Sequence, residues 1–488
     1  MPTQALLLQN DAELCPRQRP AALRVALLAL LLALALLALP REALIPFQAD
    51  AERREYLLTG DEPEYLLAAF NLAQGRGLTL AARDQQRFMA PERLDHLMAQ
   101  GWHGSYAYFL SVSPALGRRY SQAEWGAAPI LVHRPATSLL LAPAAWAGER
   151  QRWWSYAIIS LVAAGGLAWL LFLAIRAGAP PGPSLGLGLA SLLAPPALFY
   201  ASQAFPELPC ALLLALALAL LFRPGPGAAL LAALCLAAAP WFSDRALPPA
   251  FLLGLAALLA APGRVKIMVA GVFVLDAAGL ISYWLQHLGT PYPQNTHTAL
   301  HASLSYIPLG FLQLFFSGTQ GLLWFFPLAA LAPLAWWRWW RSGWRPGLCL
   351  LSALAWLALV AGIATWPDWT AGTCPRGRYA VMVQLLCLPA FLAWARAGFS
   401  RRQAFVLGLL AAWGLVYAAL VALEPGWWFA QFHPIFNLDP RSPIFAWLPD
   451  FIHPSLRSYA LCAAWALVFA ALHWFLARGE TPRPPRLN

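Results

Sequence analysis

The chain has 488 residues, 60% of them hydrophobic and only 11% charged, against roughly 25% charged in soluble domains. A water-facing globule of this length needs far more polar side chains, whereas a polytopic membrane protein turns apolar surface to lipid. That balance excludes the soluble classes, dehydrogenases, kinases and nucleic-acid proteins among them, and the net charge of +11 is scattered through short loops that offer no basic stripe to a nucleic-acid backbone.

The charges read instead as topology markers. Arg17/Arg19/Arg24, Arg338/Arg341/Arg345 and Arg401/Arg402 are clusters that orient their flanking spans by the positive-inside bias. Residues 1–20 form a basic inner tail and 21–40 the first apolar span. Pro40-Arg41-Glu42 makes a poor cleavage site, so this span is expected to be retained. Residues 41–128 then form one large exterior segment, in which 64–73 and 91–100 read as short amphipathic helices of a cap over the membrane mouth.

A first bundle half follows over 129–285, with candidate spans near 129–147, 153–175, 185–201, 208–222, 226–240, 247–262 and 267–285. Residues 286–320 are an exterior loop or re-entrant segment. The second half, 321–423, holds candidates near 321–337, 347–365, 378–396 and 404–423. Residues 424–458 return outside to complete the cap, 459–477 form the last span and 478–488 an inner tail. About thirteen runs are long and apolar enough, yet basic flanks place both termini inside, which demands an even number. The fold class predicted is an all-α polytopic membrane bundle of about 12 transmembrane helices, range 11–13, with a large helical first exterior loop. Its weakest stretch is 185–240, interrupted by Pro195, Pro196, Pro206, Pro209, Pro224 and Pro226. Six of the seven cysteines lie in the tail or in apolar runs, leaving Cys374 outside, so no disulfide framework is expected.

The densest chemistry is Thr59-Gly60-Asp61-Glu62-Pro63-Glu64-Tyr65-Leu66, where three carboxylates share four positions. Such acids serve as bases or bind cations, and a divalent metal stays open; Asp61 as a helix cap with Pro63 in the first turn is the structural alternative. A second cluster runs from Trp366 to Tyr379 and carries Arg376 and Arg378 on an exterior face, against the charge bias. An anionic lipid phosphate would explain them, as would snorkelling to headgroups. His133 opens a span after the large loop and is a metal or acid–base candidate or an interfacial histidine. His297 and His301 stand four apart without a further ligand pattern. Asp244 and Arg245 interrupt an apolar tract at what reads as an exterior turn, and Glu207 is a lone acid that must face a protein cavity or the interface.

Gly60-Asp61-Glu62-Pro63-Glu64-Tyr65-Leu66 resembles the catalytic string of the type C (GT-C) membrane glycosyltransferases, with Glu64 where that form often has His. His133-Arg134-Pro135 is similar to the family's His-Pro-Pro-Leu stretch, with Arg134 in place of the first Pro. Ala201-Ser202-Gln203-Ala204-Phe205-Pro206-Glu207 resembles its polar segment ending in an acid, Gly321-Leu322-Leu323 with Pro327 its Gly-Leu-Leu…Pro stretch, and Trp369-Thr370-Ala371-Gly372 through Arg378-Tyr379 its Trp…Gly-Pro-Arg-Tyr-Leu element. The resemblance, closest to bacterial polyprenyl-phosphate-sugar transferases of the aminoarabinose and protein O-mannosyl superfamily, implies transfer of a sugar from a polyprenyl-phosphate donor to a lipid, polysaccharide or protein acceptor. It implies Asp61 as general base, Glu62 as supporting acid, Arg378 or Arg376 on the donor phosphate, and Tyr379, Tyr65, His133, Glu207 and Arg245 as substrate-lining residues, with no certain cofactor. High Ala, Leu, Pro and Arg with almost no Lys suggests a GC-rich bacterial gene, hence an inner-membrane protein with a periplasmic active face among membrane lipids. Three rivals are an O-antigen-type ligase or polymerase, whose large loop falls late, a transporter, which predicts internal repeats and mid-membrane charges, and a non-catalytic membrane scaffold, which gives no reason for acidic and arginine-rich exterior motifs together.

Overall fold

The computed structural model describes residues 18–38, 62–78, 134–223, 225–288, 303–318, 321–365, 377–423, 447–449, 451 and 455–478. These residues fold as α-helices and 3-10 turns, with no strand among them. The chain is a multi-pass helical membrane protein. Six of the described helices are long and apolar enough to cross a bilayer, the longest over Trp153–Arg176. Their outer faces are apolar too: Phe251, Leu275 and Leu467 are each more than 70% exposed, as a lipid-facing surface requires.

The order is α1 (Gln18–Ala38), α2 (Glu62–Ala73), α3 (Pro135–Leu141), a 3-10 stretch (Ala142–Arg150), α4 (Gln151–Arg176), α5 (Pro181–Leu193), α6 (Ala197–Tyr200), α7 (Glu207–Leu220), α8 (Pro226–Ala238), α9 (Leu247–Ala260) and α10 (Val265–Leu288). Then come α11 (Ile307–Phe316), α12 (Leu322–Phe325), α13 (Ala332–Arg341), α14 (Pro346–Ala364), α15 (Ala380–Ala397), α16 (Arg401–Leu423) and α17 (Leu456–Ala477). Helix α15 is the axis. Its residues 380–395 are all buried, and α5, α7, α13 and α14 pack around it.

Side-chain contacts fix the direction of the central helices. Arg378, just before α15, pairs with Glu207 at the start of α7. At the far ends Arg396 lies over Trp344, and Trp344 packs on Phe222 just past α7. α7 and α15 therefore run parallel, from an end holding Glu207 to an end rich in arginine. At the arginine-rich end Arg345 donates to Leu221 O, and Arg338 donates to Leu476 O and Ala477 O.

α7, α8 and α9 have 14, 13 and 14 residues. At 1.5 Å per residue each is roughly 20 Å long, short of a hydrocarbon core of roughly 30 Å. The missing length is taken up by buried non-helical chain, notably 201–206, which is tolerable at membrane depth only inside protein. Above this floor lie α2, α3 and the 3-10 stretch, packed on one another.

Several expected spans take another form. From the run 129–147, residues 134–150 form only the seven-residue α3 and a 3-10 stretch with Gly148 at φ 64°, not one continuous helix. Pro143 and Gly148 deny it a regular ladder. The run 185–201 divides at Pro195-Pro196 into α5 and α6, and 321–337 divides at Pro327 and Pro333 into α12, a 3-10 turn and α13. In 286–320, α11 turns back into the bundle: Ser303 N–H donates to Thr365 O at 3.0 Å, and a Cβ at Gly310 would collide with Ala364 O. Helix 64–73 exists as α2, yet Tyr65 through Asn71 are all buried, so it is an interior element and not an amphipathic surface helix. The helix expected at 91–100 lies outside the described residues.

Candidate functional site

The polar site lies at the end of α7 and α15 opposite the arginine-rich end. Its scaffold is the buried segment 201–207. Ser160 Oγ, on α4, holds it by donating to Ala201 O at 2.9 Å. From this segment Ala204 N–H donates to Glu62 Oε1 at 2.8 Å, and Glu207 Oε1 accepts from Arg378 Nε at 2.6 Å. One short stretch of chain thus joins the start of α2 to the start of α15, across 142 and 171 residues of sequence.

Glu62 is 2% exposed and stands in the first turn of α2, where the helix dipole and the Ala204 N–H both favour a carboxylate. Tyr65 is also buried; its carbonyl accepts from Ser138 Oγ of α3 at 3.1 Å, and Leu66 O accepts from Gln151 Nε2 at 2.7 Å. These two bonds fix α2 against the stretch that returns the chain to the bundle.

Arg378 and Glu207 are 8% and 1% exposed, so their charges meet in a low-dielectric setting. The guanidinium also lies over the Phe205 ring at 4.7 Å, and Phe205 meets Tyr200 edge to face at 5.3 Å. Glu207 Oε2 is buried without a hydrogen-bond partner among the described residues. Ahead of Arg378, Gly377 has φ 73°, a left-handed turn that glycine adopts without cost, and a Cβ there would press on Pro196 at 3.1 Å.

Tyr379 carries a second guanidinium. Arg245 stacks on its ring at 3.8 Å, while Arg378 lies 5.7 Å from the same centroid. The preceding residue, Asp244, forms an ion pair with Arg134, which also lies over Trp284 of α10 at 4.6 Å. The turn at 244–246 therefore links the return of the first loop to the Arg378 region.

Of the residues singled out in the sequence, Glu62, Tyr65, Glu207, Arg245, Arg378 and Tyr379 gather at this end. Asp61, His133 and Arg376 lie outside the described residues, as do His297 and His301. The sequence reading missed Arg134 as a site residue and did not pair Glu207 with Arg378. The available signal was an arginine opening an apolar run, where an ion-pair partner is expected. It also missed Asp276, midway along α10, which accepts from Trp241 Nε1 at 2.6 Å and is a mid-membrane charge of the kind a transporter predicts. Among the described residues no group of three His, Cys, Asp or Glu could hold a metal, and Cys210, Cys235, Cys349, Cys387 and Cys462 are free thiols. Buried ion pairs, an interior acid and stacked arginines are chemistry suited to holding an anion beside a base. No family model matches the chain, and neither a curated protein nor a solved structure shows significant similarity to it.

Proposed function

We propose that the chain is a bacterial inner-membrane glycosyltransferase of the GT-C type, of about twelve crossings, acting at the periplasmic face on a polyprenyl-phosphate-linked sugar. The observation that carries this reading is the clamp at 204–207, which ties Glu62, next to Asp61 in sequence, and Arg378 to one segment.

In the proposed step Asp61 takes the proton of an acceptor hydroxyl, whose oxygen attacks the anomeric carbon. The bond from that carbon to the phosphate oxygen breaks with inversion, and its electron pair leaves on the lipid phosphate. Arg378, aimed by Glu207 and Phe205, meets the charge growing on that oxygen, with Arg245 beside it across Tyr379. Glu62 fixes the start of α2 and hence the backbone next to Asp61. The acceptor is a lipid, a polysaccharide or a protein.

Asp276 is the feature a transporter reading would use, since an intramembrane acid marks ion pathways. It lies on α10, which packs chiefly on α8 and α9 at the margin of the bundle, away from the Glu207–Arg378 pair. The transferase reading is preferred for that reason.

The test incubates the purified protein with a panel of radiolabelled polyprenyl-phosphate sugars and membrane extract. Wild type should transfer label from one donor. Asp61→Asn should abolish transfer, and Arg378→Lys should lower it on the order of 100-fold, as expected when a planar, oriented cation is lost. Equal transfer by wild type and Asp61→Asn, or none from any donor, would sink the assignment.

A further inference from the structure

Among the described residues the arginine-rich end holds cations and no carboxylate. Among the described residues the carboxylates at 62, 64, 149, 207 and 244 all belong to elements of the opposite end, and Asp276 lies midway along α10. Several arginines are occupied by backbone. Arg338 donates to the last carbonyls of α17, Arg345 to Leu221 O, and Arg396 Nε to Ala177 O at 2.9 Å.

Arg19, Arg176 and Arg223 are arranged differently. Arg19 stands in the first turn of α1, Arg176 is the last residue of α4, and Arg223 follows the end of α7. α4 packs on both α1 and α7, and these three positions come to one corner, where Arg176 feels the charges of Arg223 and Arg19. No ion pair joins any of them to a carboxylate among the described residues, and all three remain exposed or half-buried. Helix-end electrostatics account for only part of the group, since Arg176 and Arg223 lie at helix C-termini, where a cation is favoured. Arg396 already donates to the carbonyl that follows Arg176, and Arg19 sits at a helix N-terminus, where a cation is disfavoured. Three like charges from three separate elements, with no carboxylate beside them among the described residues, make a place to which an anion is drawn. The apolar surface beside them says what kind: Leu23 and Leu27, further along α1, are 54% and 50% exposed, and Trp169, two turns back along α4, is 51% exposed.

We infer that Arg19, Arg176 and Arg223 form a binding site for the headgroup phosphate of an anionic glycerophospholipid in the leaflet at the arginine-rich end. The guanidiniums hold the phosphate while the exposed apolar residues of α1 and α4 meet its acyl chains. The site lies at the opposite end of the bundle from the ion pairs and does not rest on the sugar-transfer reading.

Native mass spectrometry of protein released from nanodiscs of phosphatidylglycerol or phosphatidylcholine tests this, with thermal shift as a second readout. Wild type should retain phosphatidylglycerol in preference to phosphatidylcholine. The double variant Arg176→Gln/Arg223→Gln should retain it on the order of thirtyfold less, and Arg19→Gln about fivefold less, as expected from the attraction of each basic group to an anionic bilayer surface. The charge-matched control Arg264→Gln/Lys266→Gln, at the start of α10, should retain it as wild type does. An equal loss in that control would reduce the effect to general basic charge and overturn the site. So would a thermal shift of the same size from inorganic phosphate alone, or wild type that does not distinguish the two lipids. Should the double variant fold poorly, the single Arg19→Gln change at an exposed position decides between the outcomes.

Discussion

The two ends of the bundle both bury arginines and neutralise them by opposite means. At the arginine-rich end Arg338 and Arg345 are 5% and 3% exposed and donate to backbone carbonyls at or just past helix ends. Such carbonyls carry about half an elementary charge per helix end, so these bonds set each arginine against a partial charge. At the other end Arg378 meets the full charge of Glu207, which is 1% exposed. The same residue type therefore serves as a helix cap at one end and as half of an ion pair at the other, and only the second arrangement makes each partner depend on the other.

The largest expected effect follows from that dependence. Arg378→Ala strands Glu207 in the interior and should cost about 3–5 kcal/mol, whereas Arg338→Ala should cost about 1–3 kcal/mol. Thermal unfolding in detergent, followed by tryptophan fluorescence, compares the two. The double change Arg378→Ala/Glu207→Leu should recover much of the loss, because it removes the stranded charge along with its partner. Equal losses for both arginines, or no recovery in the double change, would erase the distinction between the ends.

A smaller effect is expected at Glu62. Glu62→Ala removes the acceptor of a buried N–H and should cost about 1.5–3 kcal/mol, while Glu62→Gln keeps an oxygen facing Ala204 and should cost less. If Gln is as damaging as Ala, the negative charge and not the acceptor holds the start of α2. The same unfolding assay reads both.

How much of this was legible in the sequence depends on the range of the interaction. Helices such as α4, α10, α14 and α17 follow from apolar runs with few charges, because bilayer thickness and backbone hydrogen bonding leave a single-chain span little choice. Proline marked where α5 gives way to α6. The run at 129–147 has the composition of a span, and composition alone does not report that Pro143 and Gly148 break it. The first-loop helix was visible at 64–73, but its burial depends on α3 and the 3-10 stretch, which arrive from 60 or more residues later. Glu207 and Arg378 each stood out as charges beside apolar runs. Their pairing spans 171 residues and exists only once α7 and α15 lie parallel.

The subtlest test concerns Arg245, which stacks on Tyr379 and is half-buried. A cation over an aromatic ring in such a setting contributes about 0.5–2 kcal/mol, so Arg245→Leu should lower stability by about that much, below Arg378→Ala. Arg245→Lys keeps the charge but loses the planar face that lies on the ring, and should give an intermediate loss. A loss at Arg245 as large as that at Arg378 would show that more than the stacking on Tyr379 holds Arg245 in place. The aromatic ring between Arg245 and Arg378 would then not by itself be the platform that keeps two like charges side by side.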